Sequence, residues 1–123
     1  MSRPDGKYKG DIIKMSADVV FIERQNNLIA RIGKEIDHHT AGSIREAIDS
    51  RLFYVRPDRL ILDFGSVGFM DSSGIALIIG RCEVAAAVGA TVRLVGLSPQ
   101  LMKLARLAGL ERIRNLTVSA GED

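Results

Sequence analysis

The segment Phe69-Met70-Asp71-Ser72-Ser73-Gly74 sets two hydroxyls and a carboxylate between an apolar run at residues 60–64 and a long apolar-faced stretch at 75–88. That pattern is a strand-to-helix junction. The first backbone N–H groups of a helix have no intrahelical partner and carry the positive end of the macrodipole, so the junction favours an anion. A phosphate on Ser72 is physically reasonable there. Asp71, Ser72 and Ser73 are equally the residue types that cap helices, and capping alone accounts for their presence. A second polar segment, Gly33-Lys34-Glu35-Ile36-Asp37-His38-His39-Thr40-Ala41, enters another helical stripe, where Asp37 or Thr40 suits the cap and the two imidazoles suit solvent.

An enzyme must assemble a nucleophile, a base and an electrostatic stabiliser, and the chain offers little toward such a set. Met70 stands where the first glycine of a Gly-x-Ser-x-Gly elbow belongs, although Gly74 fits the second. The only histidines, His38 and His39, are adjacent and have Asp37 as their one obvious co-ligand, short of a metal site. No Gly-rich phosphate loop is present. Cys82, the single cysteine, falls on an apolar stripe with Ile75, Ile78, Ile79, Ala85 and Ala86, where a thiol acts as a small hydrophobe. The expectation is a protein that is no enzyme and needs no cofactor or metal.

Composition points the same way. The 123 residues are 46% hydrophobic and 26% charged, which suits one ordinary globular domain. Such a domain removes roughly two-thirds of its unfolded-chain surface from water and needs no disulfide or metal staple. Seventeen Lys plus Arg against fifteen Asp plus Glu leave a net charge of +2, scattered rather than blocked. The densest basic stretch, Lys103, Arg106, Arg112 and Arg114, is interrupted by leucines and has no aromatics for stacking on bases, so direct DNA binding is not expected. No apolar run approaches a membrane span and the first ten residues lack a signal-peptide core, so no membrane insertion and a cytoplasmic location are expected.

The elements that must position these loops follow from periodicity. Residues 1–17 show no sustained period and read as a leader, mobile or loosely docked. Residues 18–24 and 28–33 read as an antiparallel pair around Gln25-Asn26-Asn27, with Asn supplying the positive φ of the turn. Ala41, Ile44, Ile48, Leu52 and Val55 form one helical stripe that Pro57 stops. A central strand at 59–64, the helix after Ser72 closed by Gly89, and a strand at 91–95 follow. Ser98-Pro99 then opens a helix that Gly109 ends, a short strand lies within 112–118, and residues 119–123 are a polar tail. The expected domain, 18–118, is α/β: a mixed sheet in the order β-β-α-β-α-β-α-β, with helices mainly on one face. If the strands before the two polar loops run parallel, the loops meet at one edge of the domain.

Glu35-Ile36-Asp37-His38-His39-Thr40 and Phe69-Met70-Asp71-Ser72-Ser73-Gly74, with Gly80-Arg81, Gly89 and Ser98-Pro99 downstream, resemble the STAS-domain anti-anti-sigma factors of the sporulation stage II AA type. The resemblance covers nearly everything from Asp18 to Val118. It implies a single STAS domain acting in transcription regulation by partner switching: an antagonist that binds an anti-sigma factor serine kinase and so frees a sporulation sigma factor. It implies a phosphoprotein, with the kinase modifying Ser72 and a serine phosphatase acting on phospho-Ser72 to restore the active form. Glu35, Asp37, His38, His39 and Thr40, with Asp71, Ser72, Ser73 and Gly74, are the partner-binding residues it implies. Lys34 is an extra residue relative to the related pattern and implies a bulge before the contact loop. Two other readings use the same residues: a STAS scaffold never phosphorylated at Ser72, and a nucleotide-binding or hydrolysing domain with the serine junction as its anion site.

Overall fold

The structure, a computed structural model, describes residues 12–15 and 18–119 of the chain. Among these, six strands form one sheet in the sequential order β1-β2-β3-β4-β5-β6. Strand β1 is Ile12–Met15, β2 is Val19–Arg24 and β3 is Asn27–Ile32; helix α1, Ala41–Val55, leads to β4, Arg59–Asp63. Helix α2, Ser72–Ala87, leads to β5, Thr91–Val95, and α3, Pro99–Leu107, with a 3-10 turn at Leu110–Arg112, leads to β6, Leu116–Val118.

Strands β1, β2 and β3 pair antiparallel, while β3 to β6 are parallel neighbours joined through helices. Because that order advances one strand at a time in one direction, crossovers of a single hand must all fall on the same face. One continuous core results. Phe21, Ala30, Leu62 and Leu94 from the sheet meet Ile44 and Ile48 of α1, Ile78 and Cys82 of α2, and Leu101 of α3. On the opposite face Ile22 and Ile29 form a small separate cluster with Val20 and Ile61.

Three local expectations are corrected. The leader expected at 1–17 contributes strand β1, whose backbone pairs with the open edge of β2 despite a register irregularity between Ile12 and Lys14. An unpaired strand edge templates such pairing, and four residues are too few for a period to reveal it. The remainder of 1–17, and residues 120–123 of the tail, lie outside the described residues. In the β2–β3 hairpin the positive φ, 56°, falls on Gln25, and Arg24 pairs directly with Asn27, leaving a two-residue turn. Lys34 causes no bulge: the β2–β3 ladder is unbroken from Val19↔Ile32 to Arg24↔Asn27, and Lys34 lies after the strand, its Nζ 3.4 Å from Asp18 Oδ1.

Helix α2 buries Ile78, Cys82 and Ala85 of the stripe read in the sequence, but its covered side is wider and shifted away from Ile79. Gly74, Leu77, Ile78, Arg81, Cys82 and Ala85 are its buried residues, whereas Ile79 is 37% exposed. The reason is α1, which packs beside α2, so that α2 is covered both by the sheet and by a helix neighbour. A stripe drawn for a helix lying on a sheet alone misses the second covered side.

Candidate functional site

Parallel pairing of β3 and β4 brings their C-terminal ends to one edge, as the alignment of Arg31 with Asp63 requires. The two polar loops then meet. Ile36 N–H donates to Phe69 O at 3.1 Å and Asp71 N–H donates to Ile36 O at 3.1 Å, an isolated parallel bridge between Ile36 and Met70. Ile36 is fully buried and Met70 is 4% exposed, so the apolar residue in the middle of each loop anchors it and leaves its neighbours outside.

In the first loop Asp37 organises the turn into α1. Its Oδ1 accepts from His39 N at 2.9 Å and from Thr40 N at 3.1 Å, and these bonds hold the carboxyl below its ordinary value. Thr40 occupies the N-cap position without a side-chain cap bond. Its Oγ1 accepts from Asp37 N at 3.0 Å and donates to Glu35 O at 2.8 Å. The His38 and His39 rings do not diverge: their centroids lie 3.9 Å apart at a 39° tilt. Glu35, His38 and His39 are exposed.

In the second loop Asp71 takes the capping role. It has extended backbone angles, φ −100° and ψ −162°, and its Oδ1 accepts from Ser73 N at 2.8 Å. Ser72 is therefore the first helical residue rather than the cap. It is exposed, and its hydroxyl has no hydrogen-bond partner among the described residues. Ser73 is half-buried and Gly74 is buried against Met70, so Gly74 offers a partner no side chain. Phe69, not singled out from the sequence, is 53% exposed beside these residues.

The N-termini of α1 and α2 both open at this edge, giving it the positive ends of two helix dipoles. The arrangement presents a free hydroxyl at a position tolerant of a dianion. No group of three or more His, Cys, Asp or Glu suited to a metal occurs among the described residues. Cys82 is buried in the core, and desolvation pushes its thiol up to about 11, which suits packing rather than nucleophilic chemistry.

One polar cluster escaped sequence reasoning. Asp63 is fully buried, accepts from Gly65 N at 2.8 Å and pairs with Arg31 at 3.4 Å; Arg31 in turn donates to Ser66 Oγ at 2.6 Å. It ties the turn after β4 to β3 on the helix-free side. The only signal was an aspartate inside an apolar run, informative once β3 and β4 are known to pair.

Comparison with known proteins agrees with this geometry. Residues 18–122 match the STAS domain. The anti-sigma F factor antagonist of Lysinibacillus sphaericus is 31% identical over 86 residues, 70% of this chain and 74% of the relative. That of Paenibacillus polymyxa is 27% identical over 99 residues, 80% of this chain and 85% of the relative. The Bacillus cell fate determinant SpoIIAA in its phosphorylated form superposes with a TM-score of 0.63 at 27% identity, covering 83% of this chain and 91% of that one. The chain belongs to the STAS-domain family, in its anti-anti-sigma factor branch. No helix among the described residues is long and apolar enough to cross a membrane.

Proposed function

We propose that this protein binds an anti-sigma factor serine kinase through the edge formed by Glu35, Asp37, His38, His39, Thr40, Asp71, Ser72 and Ser73, and so releases a sporulation sigma factor. Phosphorylation of Ser72 by that kinase ends the interaction, and a serine phosphatase restores it. The protein acts in the cytoplasm as a binding partner and not as a catalyst. The observation that carries this reading is the state of the Ser72 hydroxyl: exposed and unbonded, because Asp71 occupies the cap. A hydroxyl engaged in capping would have to break its bond before transfer. Names of relatives as anti-sigma F factor antagonists, and a phosphorylated form among the similar structures, support the same reading.

Switching follows from two opposed electrostatic effects. A phosphoserine adds roughly −1.5 to −2 charge, which the helix N-terminus stabilises in the free protein. In a complex the dianion lies beside the fixed Asp71 carboxylate and needs desolvation against the partner. A net penalty of about 3 kcal/mol there weakens binding more than about a hundredfold. An ordered helix start and a lost partner are therefore compatible.

The test is incubation with the anti-sigma serine kinase and ATP, followed by intact and peptide mass spectrometry with Ser72→Ala and Ser73→Ala controls. One phosphate that disappears only in Ser72→Ala is the expected result, with the melting temperature of that variant unchanged. Stable kinase binding without any phosphate would replace the switch with the unphosphorylated scaffold.

A further inference from the structure

Two glycines lie within the helices that flank the candidate site, Gly42 on α1 and Gly80 on α2. After proline, glycine is the least favourable residue in a helix, so its retention asks for a reason: no room for a Cβ, or something that must approach closely. Gly74 shows the first reason, since a Cβ there meets Met70 Sδ at 2.6 Å. Gly42 and Gly80 show neither crowding nor a positive φ; nothing lies within 4 Å of a Cβ built on either. Packing within this chain does not call for them.

Both open on one cavity between α1 and α2, of about 420 Å³, whose polar walls are His38, Arg45, Ser73 and Arg81. No acidic side chain lines it. Arg81 is 5% exposed and incompletely satisfied. Its Nε pairs with Asp49 Oδ1 at 2.7 Å, and its Nη1 reaches Leu77 O only at 3.5 Å. Nη2 has no partner among the described residues. With Nε paired to Asp49, the Nη donors are what Arg81 presents to an anion at the cavity wall. Arg45 stands opposite, half-exposed, with only a 3.9 Å contact to Glu46.

We propose that this cavity receives an acidic side chain of the anti-sigma partner, its carboxylate on Arg81 and Arg45 and its aliphatic stem passing between Gly42 and Gly80. The inference rests on the proposed function. His38 and Ser73 belong both to the cavity wall and to the edge around Ser72, so a protein docked on that edge covers the cavity. The volume falls within the range of sites that enclose an organic group, and is ample for one side chain. The missing Cβ atoms leave the stem its passage.

The measurements are the melting temperature of the free protein and the affinity for the anti-sigma serine kinase by biolayer interferometry, for Gly42→Ala, Gly80→Ala and Arg45→Glu. Gly80→Ala raises the melting temperature by about 3 °C, as relief of a glycine inside a helix does, Gly42→Ala in the first turn of α1 raises it by less, and each weakens the complex at least about tenfold. Arg45→Glu leaves the melting temperature unchanged and weakens binding at least about tenfold, because the docking charge is reversed. Parent-like affinity in all three variants overturns the cavity assignment while leaving the proposed function standing. A lowered melting temperature in either alanine variant overturns it as well, by giving that glycine a structural purpose. Absence of kinase binding by the unaltered protein removes the proposed function and this inference together.

Discussion

Replacement of Asp71 separates its two contributions at the start of α2. The carboxylate accepts a 2.8 Å hydrogen bond from Ser73 N and places a negative charge at the positive end of a 16-residue helix. Loss of a side-chain cap costs about 1 kcal/mol, within a range of roughly 0.5–2. Loss of the charge at an exposed helix terminus costs a further ~0.3–1 kcal/mol at low ionic strength. Asp71→Ala forfeits both, for a total near 1–2 kcal/mol; Asp71→Asn keeps an acceptor oxygen and forfeits only the smaller part. In a domain of this size the alanine variant should melt about 3–8 °C below the parent, with the asparagine variant between them. Thermal and urea denaturation followed by circular dichroism, at 20 mM and 500 mM salt, resolve the order. High salt should close the gap between parent and Asp71→Asn while leaving most of the gap to Asp71→Ala, since screening acts on the charge and not on the bond. Equal stability of parent and Asp71→Ala would refute the cap, and with it the reason given for the free Ser72 hydroxyl.

Gly74→Ala drives a Cβ to 2.6 Å from Met70 Sδ and 2.8 Å from Met70 Cβ. Overpacking of this kind costs about 1–3 kcal/mol, more than the gain of up to ~1 kcal/mol from helix propensity, so urea denaturation should show a net loss of stability. For Asp37, the folded carboxyl titrates below its ordinary 3.8 because the His39 and Thr40 amides bond to its charged form. Its stabilisation of the loop is therefore fully present above pH 3.8 and is lost as pH falls through the lower folded value. Amide exchange should show the His39 and Thr40 protons losing protection across that window, and protection that persists well below it would contradict the assignment. Cys82, with its thiol pushed up to about 11 and buried, should resist a thiol-specific chromophoric reagent at pH 8 in the native protein and react fully in denaturant.

Periodicity and punctuation carried much of this protein in its sequence. The stripe at Ile44, Ile48 and Leu52, the stop at Pro57, the Ser98 cap and the Gly109 terminator all stand where local pattern put them, since each depends on neighbours within one or two turns. The residue types of both polar loops were equally plain. Tertiary structure decided what those residues do. Asp71 wins the cap over the two serines because Asp71 N–H is already pinned to Ile36 O, fixing where the helix begins. Leu77 and Arg81 are buried, and Ile79 left open, because α1 lies beside α2. Strand β1 exists through pairing with the edge of β2, and the Arg31–Asp63 pair through the register of two strands a helix apart in sequence. A chain's own pattern reports the interactions a residue makes with its near neighbours; which remote surface arrives to cover or to free a side chain is set only when the sheet is assembled.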